Sequence, residues 1–281
     1  MCWKFLIWGL ILTLSGCGKS SQVTETKSIT VSILPIKYFV DQIGGNDFEV
    51  NVMVPPGASP ETYEPTTLQM KKLANSKTYL SLDLMDFELA NKKMIEENFK
   101  DVDYINLADS MAITHNEECN CGHHHAVDPH VWLSFENTKV MVKNICKRLV
   151  ELKPQNKYLY TQRADSLINE ISQLKYFADS KIRKGSAFLI YHPSLSYFAE
   201  ELGIKQIAIE NEGKEPTISN IKTLIDNSLQ DSITILLYQK QFGQHVVEAI
   251  REELHITSEV FDPLEYEWFV NMRRIINLLS K

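Results

Sequence analysis

The chain has 281 residues, of which 44% are hydrophobic and 23% are charged, with 11 glycines and 10 prolines. This composition is that of an ordinary globular protein with one or two domains, and it excludes collagen-like and wholly disordered chains. The 29 Lys and Arg against 36 Asp and Glu give a net charge of -7, so we expect no basic surface for nucleic acid. Five cysteines in a chain of this length do not make a disulfide scaffold.

The first residues predict export and a lipid anchor. Lys4 precedes an apolar run at 5–14 that is shorter than the roughly 20 residues of a membrane-spanning helix, so residues 1–16 are interpreted as a signal peptide. The ending Leu-Ser-Gly-Cys resembles a bacterial lipobox, in which Cys17 is lipidated; an ordinary signal peptide with an incidental Cys17 is the alternative. Residues 17–27 are polar and suit a flexible tether. We expect the protein on the periplasmic or extracytoplasmic face of a bacterial cell-envelope membrane.

From residue 28 onward, short β-rich segments alternate with helical segments. The predicted strands of the first half are 28–34, 48–54, 78–82 and 104–107, and the predicted helices are 36–43, 66–74 and 86–98. Two prolines and a glycine at 55–57 enforce a loop after the second strand. This order predicts an α/β fold with a parallel sheet and helices on both of its faces.

A long helical segment separates this half from a second half with the same pattern. After an amphipathic helix at 138–152, a helical run from 154 to about 182 would span about 45 Å. The second half has predicted strands at 187–191, 204–209, 233–238 and 257–261, and predicted helices at 195–202, 218–229, 244–253 and 267–279. We therefore predict α/β lobes at 28–153 and 185–281, a single linking helix at 154–184, and a ligand cleft between the lobes.

Four candidate metal ligands follow predicted strands or lie in the loops between elements. His192 and Asp262 come directly after strands of the second half, Glu61 lies in the loop after 48–54, and His130 lies in 128–132. Ligands of open α/β sheets bind at the carboxyl ends of strands. Two imidazoles and two carboxylates make a closed set that is typical of Zn²⁺ and compatible with Mn²⁺ or Fe²⁺. By pattern alone each histidine is more often a capping or packing residue.

Five segments carry a more specific signal. They are 56–65 (PGASPETYEP), 128–134 (DPHVWLS), 191–199 (YHPSLSYFA), 212–217 (EGKEPT) and 261–264 (FDPL). Together they resemble the cluster A-I solute-binding proteins of metal ABC importers, the ZnuA/TroA type, and the resemblance runs from Ile29 to the C-terminus in the family's order. Zinc members of that family carry histidine where His192 stands, whereas manganese members commonly carry glutamate.

The resemblance implies a protein that captures a divalent transition metal, first of all Zn²⁺, and hands it to an ABC permease subunit driven by its ATPase. The implied ligands are Glu61, His130, His192 and Asp262. It implies two lobes that move little because one rigid helix joins them, and we expect a monomer. Acid is expected to release the ion, because protonated ligands cannot bind it.

Position 61 departs from the family, in which a histidine usually stands there. A carboxylate at Glu61 gives two nitrogen and two oxygen donors, as manganese-type members also have, so Mn²⁺ stays open while His192 favours Zn²⁺. In the alternative arrangement Glu61 points away, and Glu64 or water takes the fourth position.

The segment 115–125 is a second metal feature. It is rich in potential nitrogen and sulfur donors: His115, Cys119, Cys121, His123, His124 and His125. Such a biased tract is typical of metal binding, and zinc members of the family often carry a His- and acid-rich loop here. We expect weak, accessory binding that feeds the main site; a solvated loop without function is the alternative.

Two other classes of protein are alternatives to a metal carrier. A zinc hydrolase needs an open coordination position and a general base, and the sequence contains neither His-Glu-x-x-His nor Gly-x-Ser-x-Gly. We therefore expect no catalytic residues and no enzyme. A surface adhesion module with a structural metal is the other alternative, and it would lose its fold when the metal is removed.

Overall fold

The computed structural model describes residues 27–114, 127–210, 216–228, 233–241 and 243–280. The N-terminal lobe contains β1 Lys27–Val31, α1 Leu34–Gly44, β2 Phe48–Val52, α2 Thr67–Ala74, β3 Thr78–Ser81, α3 Asp86–Asn98 and β4 Asp103–Asn106. Two long helices follow, α4 Phe135–Leu152 and α5 Lys157–Lys181. The C-terminal lobe contains β5 Ala187–Ile190, α6 Ser196–Leu202, β6 Lys205–Ala208, α7 Ile218–Ser228, β7 Ile235–Tyr238, α8 Gln244–Leu254 and β8 Thr257–Val260, and helix α9 Trp268–Leu279 comes last. Within these ranges, none of the helices combines the length and the apolar character needed to cross a bilayer.

Each lobe is built on a four-stranded parallel sheet within the described residues. The strand orders are β2-β1-β3-β4 and β6-β5-β7-β8, so the second lobe repeats the topology of the first. The pairing places Ile29 opposite Val50 in one sheet and Leu189 opposite Leu236 in the other. The predicted α/β class, with two parallel sheets, is confirmed.

Helix α5 joins the two lobes. Its 25 residues span about 37 Å. The predicted helix begins at Pro154, but the structure has a 3₁₀ turn at Pro154–Asn156 before α5. Proline has no N–H and disfavours a helical residue before it, and Lys153 accordingly has φ of -137°. Helix α5 packs against α1, α4 and α9, while the predicted lobe boundaries at 153 and 185 stay predictions.

The last helix completes the core of the N-terminal lobe. Phe39 of α1 packs against Trp268 of α9 with ring centres 5.4 Å apart. The Tyr266 hydroxyl, just before α9, donates a hydrogen bond of 2.8 Å to Asp41, which is 225 residues away in sequence. One continuous cluster of buried side chains includes residues of β1, α1, α4, α5, β5 and α9. The two lobes therefore share a hydrophobic core.

Helix α4 is capped partly from the C-terminal lobe. Its N-cap residue Ser134 accepts the N–H of Asn137 at 2.9 Å. Glu201 of α6 accepts the N–H groups of Phe135 at 3.0 Å and Glu136 at 3.2 Å. A carboxylate at this end satisfies free N–H groups and is favoured by the helix dipole. The start of α4 is therefore attached to the lobe that follows it in sequence.

Asp47 connects the end of α1 to the start of α5. Its carboxylate accepts hydrogen bonds from Lys153 at 3.0 Å, from Asn156 at 2.6 Å and from the Tyr160 hydroxyl. Burial acts to raise the pKa of Asp47, but the hydrogen bonds outweigh it, and the pKa lies below its ordinary value of 3.8. A carboxyl group with a lowered pKa stabilises the fold above its ordinary pKa, and that stabilisation is lost as the pH falls through the lowered value.

We therefore expect Asp47→Asn to lower the free energy of unfolding more at about pH 6 than at about pH 2. Urea unfolding at the two pH values measures this difference. Asp101→Asn, at an exposed carboxylate, is the control and is expected to change little. Equal destabilisation by Asp47→Asn at both pH values would contradict the argument.

Candidate metal centre

The carboxyl ends of the strands in the C-terminal sheet carry four polar residues. In their order across the sheet, they are Glu210 after β6, His192 after β5, Gln239 after β7 and Asp262 after β8. Parallel strands end at one edge of a sheet, so these side chains are brought together. Three of them, His192, Gln239 and Asp262, line one small cavity with Glu61 and His130. The cavity thus takes residues from both sides of the linking helix.

Glu61 is presented by the loop between β2 and α2. Gln69 of α2 holds this loop, because its side chain accepts the Tyr63 hydroxyl at 2.5 Å and donates to the carbonyl of Met53. The loop is therefore fixed on both sides of Glu61, whose carboxylate faces the cavity. Glu64 is exposed, so the arrangement in which Glu61 points away is not the one observed.

His130 is held by Asp128. The Asp128 carboxylate accepts the backbone N–H of His130 at 2.9 Å and lies 2.8 Å from its Nδ1. The carbonyl of Asp128 accepts the Tyr197 hydroxyl of α6 at 2.8 Å. With Nδ1 occupied by Asp128, Nε2 is the ring nitrogen of His130 that remains for a ligand.

Two buried tryptophans connect the His130 segment to the Asp262 segment. Trp132 donates its indole N–H to the carbonyl of Pro263 at 2.7 Å. Trp268 donates its own to the carbonyl of Trp132, also at 2.7 Å. Buried indole groups need such partners, and here the partners fix the backbone on both sides of the cavity. The two predicted ligand segments are therefore locked to each other.

Glu61, His130 and His192 form the group of described residues whose potential ligand atoms all lie within 4.8 Å of one another. Both histidines are buried, with exposed fractions of 3% and 7%, and their ring centres are 5.2 Å apart. Asp262 lines the same cavity but lies outside this group, and its Oδ1 accepts the N–H of Leu264 at 2.8 Å. The structure thus assembles three of the four predicted residues and places the fourth in the cavity wall.

His192 lies between two carboxylates. Its Nε2 is 3.0 Å from Glu61 Oε1, and its Nδ1 is 3.3 Å from Glu210 Oε1. Burial acts to lower the pKa of His192, but the hydrogen bonds and charges of Glu210 and Glu61 outweigh it and raise the pKa to about 9. Burial acts to raise the pKa of Glu61, and the His192 partner lowers it below its ordinary value. The two neighbouring glutamates thus favour the protonated form of His192 in the metal-free centre.

Sequence reasoning missed Glu210 and Gln239. Both follow strands, as His192 and Asp262 do, so the position after a strand was the signal that was available. Gln239 is buried, and its side-chain oxygen has no hydrogen-bond partner in the described part of the chain. A lone Glu or Gln after a strand draws no attention until the topology shows that these strands are neighbours.

The other predicted features lie outside the described residues. They are the signal segment 1–16, Cys17, most of 212–217, and the loop residues His115, Cys119, Cys121, His123, His124 and His125. They stay predictions from the sequence.

The fold and the site define a two-lobed binding protein. Each α/β lobe has a parallel sheet, one helix links the lobes, and nitrogen and carboxylate donors face one cavity. The family described as "Zinc-uptake complex component A periplasmic", ZnuA, matches residues 29–281. The chain belongs to this family.

Several proteins of known name are similar to this chain in sequence and in fold. The chain is 25% identical to the zinc-binding lipoprotein AdcA of Streptococcus pneumoniae R6, over 90% of this chain and 53% of that protein. It is 25% identical to the high-affinity zinc uptake system protein ZnuA of Bacillus subtilis 168, over 93% of this chain and 88% of that protein. A crystal structure of ZnuA is similar with a TM-score of 0.84 and 30% identity, covering 91% of this chain and 98% of the other. The chain spans about half the length of the streptococcal relatives that it matches.

Proposed function

We propose that this protein captures Zn²⁺ outside the cytoplasm and delivers it to the permease subunit of an ABC importer. The observation that carries the proposal is the group of half-buried Glu61 with buried His130 and His192, whose ligand atoms lie within 4.8 Å of one another. Membership of the zinc-uptake family and the printed names of its relatives support zinc as the cargo. Asp262, in the same cavity wall, is the proposed fourth ligand.

The donor set suits a divalent transition metal. Two imidazole nitrogens and two carboxylates fill a tetrahedral Zn²⁺ site, and the two carboxylates balance the charge of the ion. A cation that binds Nε2 of His192 displaces the proton held there, since a protonated imidazole cannot be a ligand. In the metal-free centre this Nε2 lies 3.0 Å from Glu61 Oε1, whereas Glu210 contacts the other ring nitrogen, Nδ1.

A metal carrier must stay folded after it releases its ion. A module with a structural metal unfolds when the metal is removed. We expect the metal-free protein to stay folded and to bind one Zn²⁺ tightly when the ion is returned. Competitive titration against a chelator of known affinity, with circular dichroism of the metal-free form, tests both points. Unfolding on metal removal would favour the adhesion module, and the absence of a tight site would contradict the ligand assignment.

Mn²⁺ is the second candidate cargo because a carboxylate, Glu61, stands within the cluster. Replacing this oxygen donor by an imidazole favours Zn²⁺, since carboxylates suit Mn²⁺ better. We therefore expect Glu61→His to raise the ratio of Zn²⁺ to Mn²⁺ affinity on the order of tenfold, about 1.4 kcal/mol. Parallel titrations with the two metals measure this ratio.

Glu64→His is the matched control for this substitution. Glu64 lies three residues further along the same loop and is exposed, so its replacement is expected to leave the ratio unchanged. A change with Glu64→His but not with Glu61→His would assign the ligand position to residue 64.

The remaining features of the proposal rest on the sequence. Lipid on Cys17 anchors the chain at the membrane, residues 17–26 tether it up to β1, and the donors of 115–125 collect metal for the main centre. The partners are the permease and its ATPase, the carrier is a monomer, and it performs no catalysis. Deleting 115–125 is expected to remove weak zinc sites from a titration and to leave the tight site unchanged.

A further inference from the structure

A buried glutamate lies behind His192. Glu210 is 6% exposed, and its backbone N–H donates to the carbonyl of Tyr191 at 2.9 Å, which continues the pairing of β6 with β5 beyond the strands. This hydrogen bond places Glu210 beside His192, the residue that follows Tyr191. The Glu210 carboxylate then meets His192 at Nδ1, with Oε1 3.3 Å away.

The two nitrogens of His192 face different partners. Nε2 faces Glu61 and the cluster, whereas Nδ1 faces Glu210. A neutral imidazole has one N–H and one lone pair, so Nε2 can bind a cation only if the remaining proton is on Nδ1. A carboxylate only accepts hydrogen bonds and therefore favours a proton on the nitrogen that it contacts. Once a cation takes Glu61 and Nε2 as ligands, Glu210 is the carboxylate that holds the remaining proton, on Nδ1.

We propose that Glu210 is a positioning residue that fixes the Nδ1-protonated tautomer of His192 and directs its Nε2 to the metal. The inference rests on the proposed function, because it concerns the same centre. Asp128 lies in the same way at Nδ1 of His130, 2.8 Å away. The two carboxylates differ in origin: Asp128 precedes its histidine by two residues, whereas Glu210 reaches His192 from the neighbouring strand. Partners of this kind change metal affinity by roughly 10- to 100-fold.

A graded pair of substitutions tests the assignment in the full chain. Glu210→Leu removes the acceptor, and we expect Zn²⁺ affinity to fall by roughly 10- to 100-fold. Glu210→Gln keeps the shape and one acceptor oxygen, but its amide can also donate to Nδ1, so an intermediate loss is expected. Glu253→Leu, at an exposed carboxylate of α8, is the control and is expected to bind as the unchanged protein does.

Two further readouts separate positioning from a structural role. In ¹H–¹⁵N spectra of the zinc-loaded protein, the Nδ1 proton of His192 is expected to be protected from exchange with water, and to exchange faster in Glu210→Leu. The melting temperature of the metal-free protein is expected to fall by similar amounts in both variants, because each removes the carboxylate beside His192, so it measures the structural part of the role. Lower melting temperatures with an unchanged Nδ1 signal would overturn the inference, because Glu210 would then only support the fold.

The outcomes also separate this inference from the proposed function. If the unchanged protein binds Zn²⁺ tightly and Glu210→Leu binds equally tightly, the positioning role is wrong and the carrier function stands. If the unchanged protein has no tight site, the carrier function itself is contradicted, and the positioning role falls with it.

Discussion

Replacement of His192 by alanine is expected to weaken Zn²⁺ binding by more than the roughly 10- to 100-fold that the loss of an outer hydrogen-bond partner causes. The substitution removes one nitrogen donor of the proposed four-ligand set. It also leaves the carboxyl groups of Glu61 and Glu210 facing each other across the space of the lost ring, without the imidazole that now lies between them. Competition with a chromophoric chelator measures the loss.

His245→Ala is the control for this experiment. His245 lies at the start of α8 and is exposed, so its removal tests the general effect of losing a histidine. Its affinity for Zn²⁺ is expected to match that of the unchanged protein. If His192→Ala bound as tightly as His245→Ala, His192 would not be a ligand, and the cavity would have to hold its ion with other donors.

Trp132→Ala is expected to destabilise the metal-free protein by about 3–5 kcal/mol, the cost of removing a large buried aromatic side chain. Trp132 is fully buried, and its loss leaves the carbonyl of Pro263 without its indole partner. Because the ring also contacts His130, with centres 5.2 Å apart, Zn²⁺ affinity is expected to fall as well. Urea unfolding and metal titration of the same preparation give both quantities.

Tyr158→Ala is the aromatic control. Tyr158 lies on α5 and is 81% exposed, so its removal is expected to change the free energy of unfolding by no more than about 0.5 kcal/mol. A Trp132→Ala variant that unfolded like the control would show that the contact between the two ligand segments does not stabilise the fold.

The sequence predicts the order and type of the elements well, because periodicity and turn residues are local signals. The alternation of strands and helices is sufficient for the α/β class, and His192 and Asp262 are found because residues after strands in such folds face the cleft. The predicted start at 154 differs from the structure by the 3₁₀ turn at Pro154–Asn156, since local signals do not separate a 3₁₀ first turn from an α-helical one.

Contacts between distant segments have no local signature, and most of what was missed belongs to them. The approach of Glu210 to His192 depends on β6 lying beside β5, which the order of elements alone does not state. The caps that Glu201 places on α4 likewise join elements more than sixty residues apart. The rule for strand ends gives the edge of a sheet at which residues meet, but it does not give the distances between their atoms.

The contact of α1 with α9 has a consequence for how the chain is made. Tyr266 and Trp268 complete the surroundings of Asp41 and Phe39, so the N-terminal lobe lacks part of its interior until residues 266–268 are present. A nascent chain that emerges N-terminus first can make the contact of Tyr266 with Asp41 only after the 225 residues that follow Asp41 have been made. Until then the early lobe is expected to stay incomplete, because the contacts that close its core come from a segment that has not yet been made.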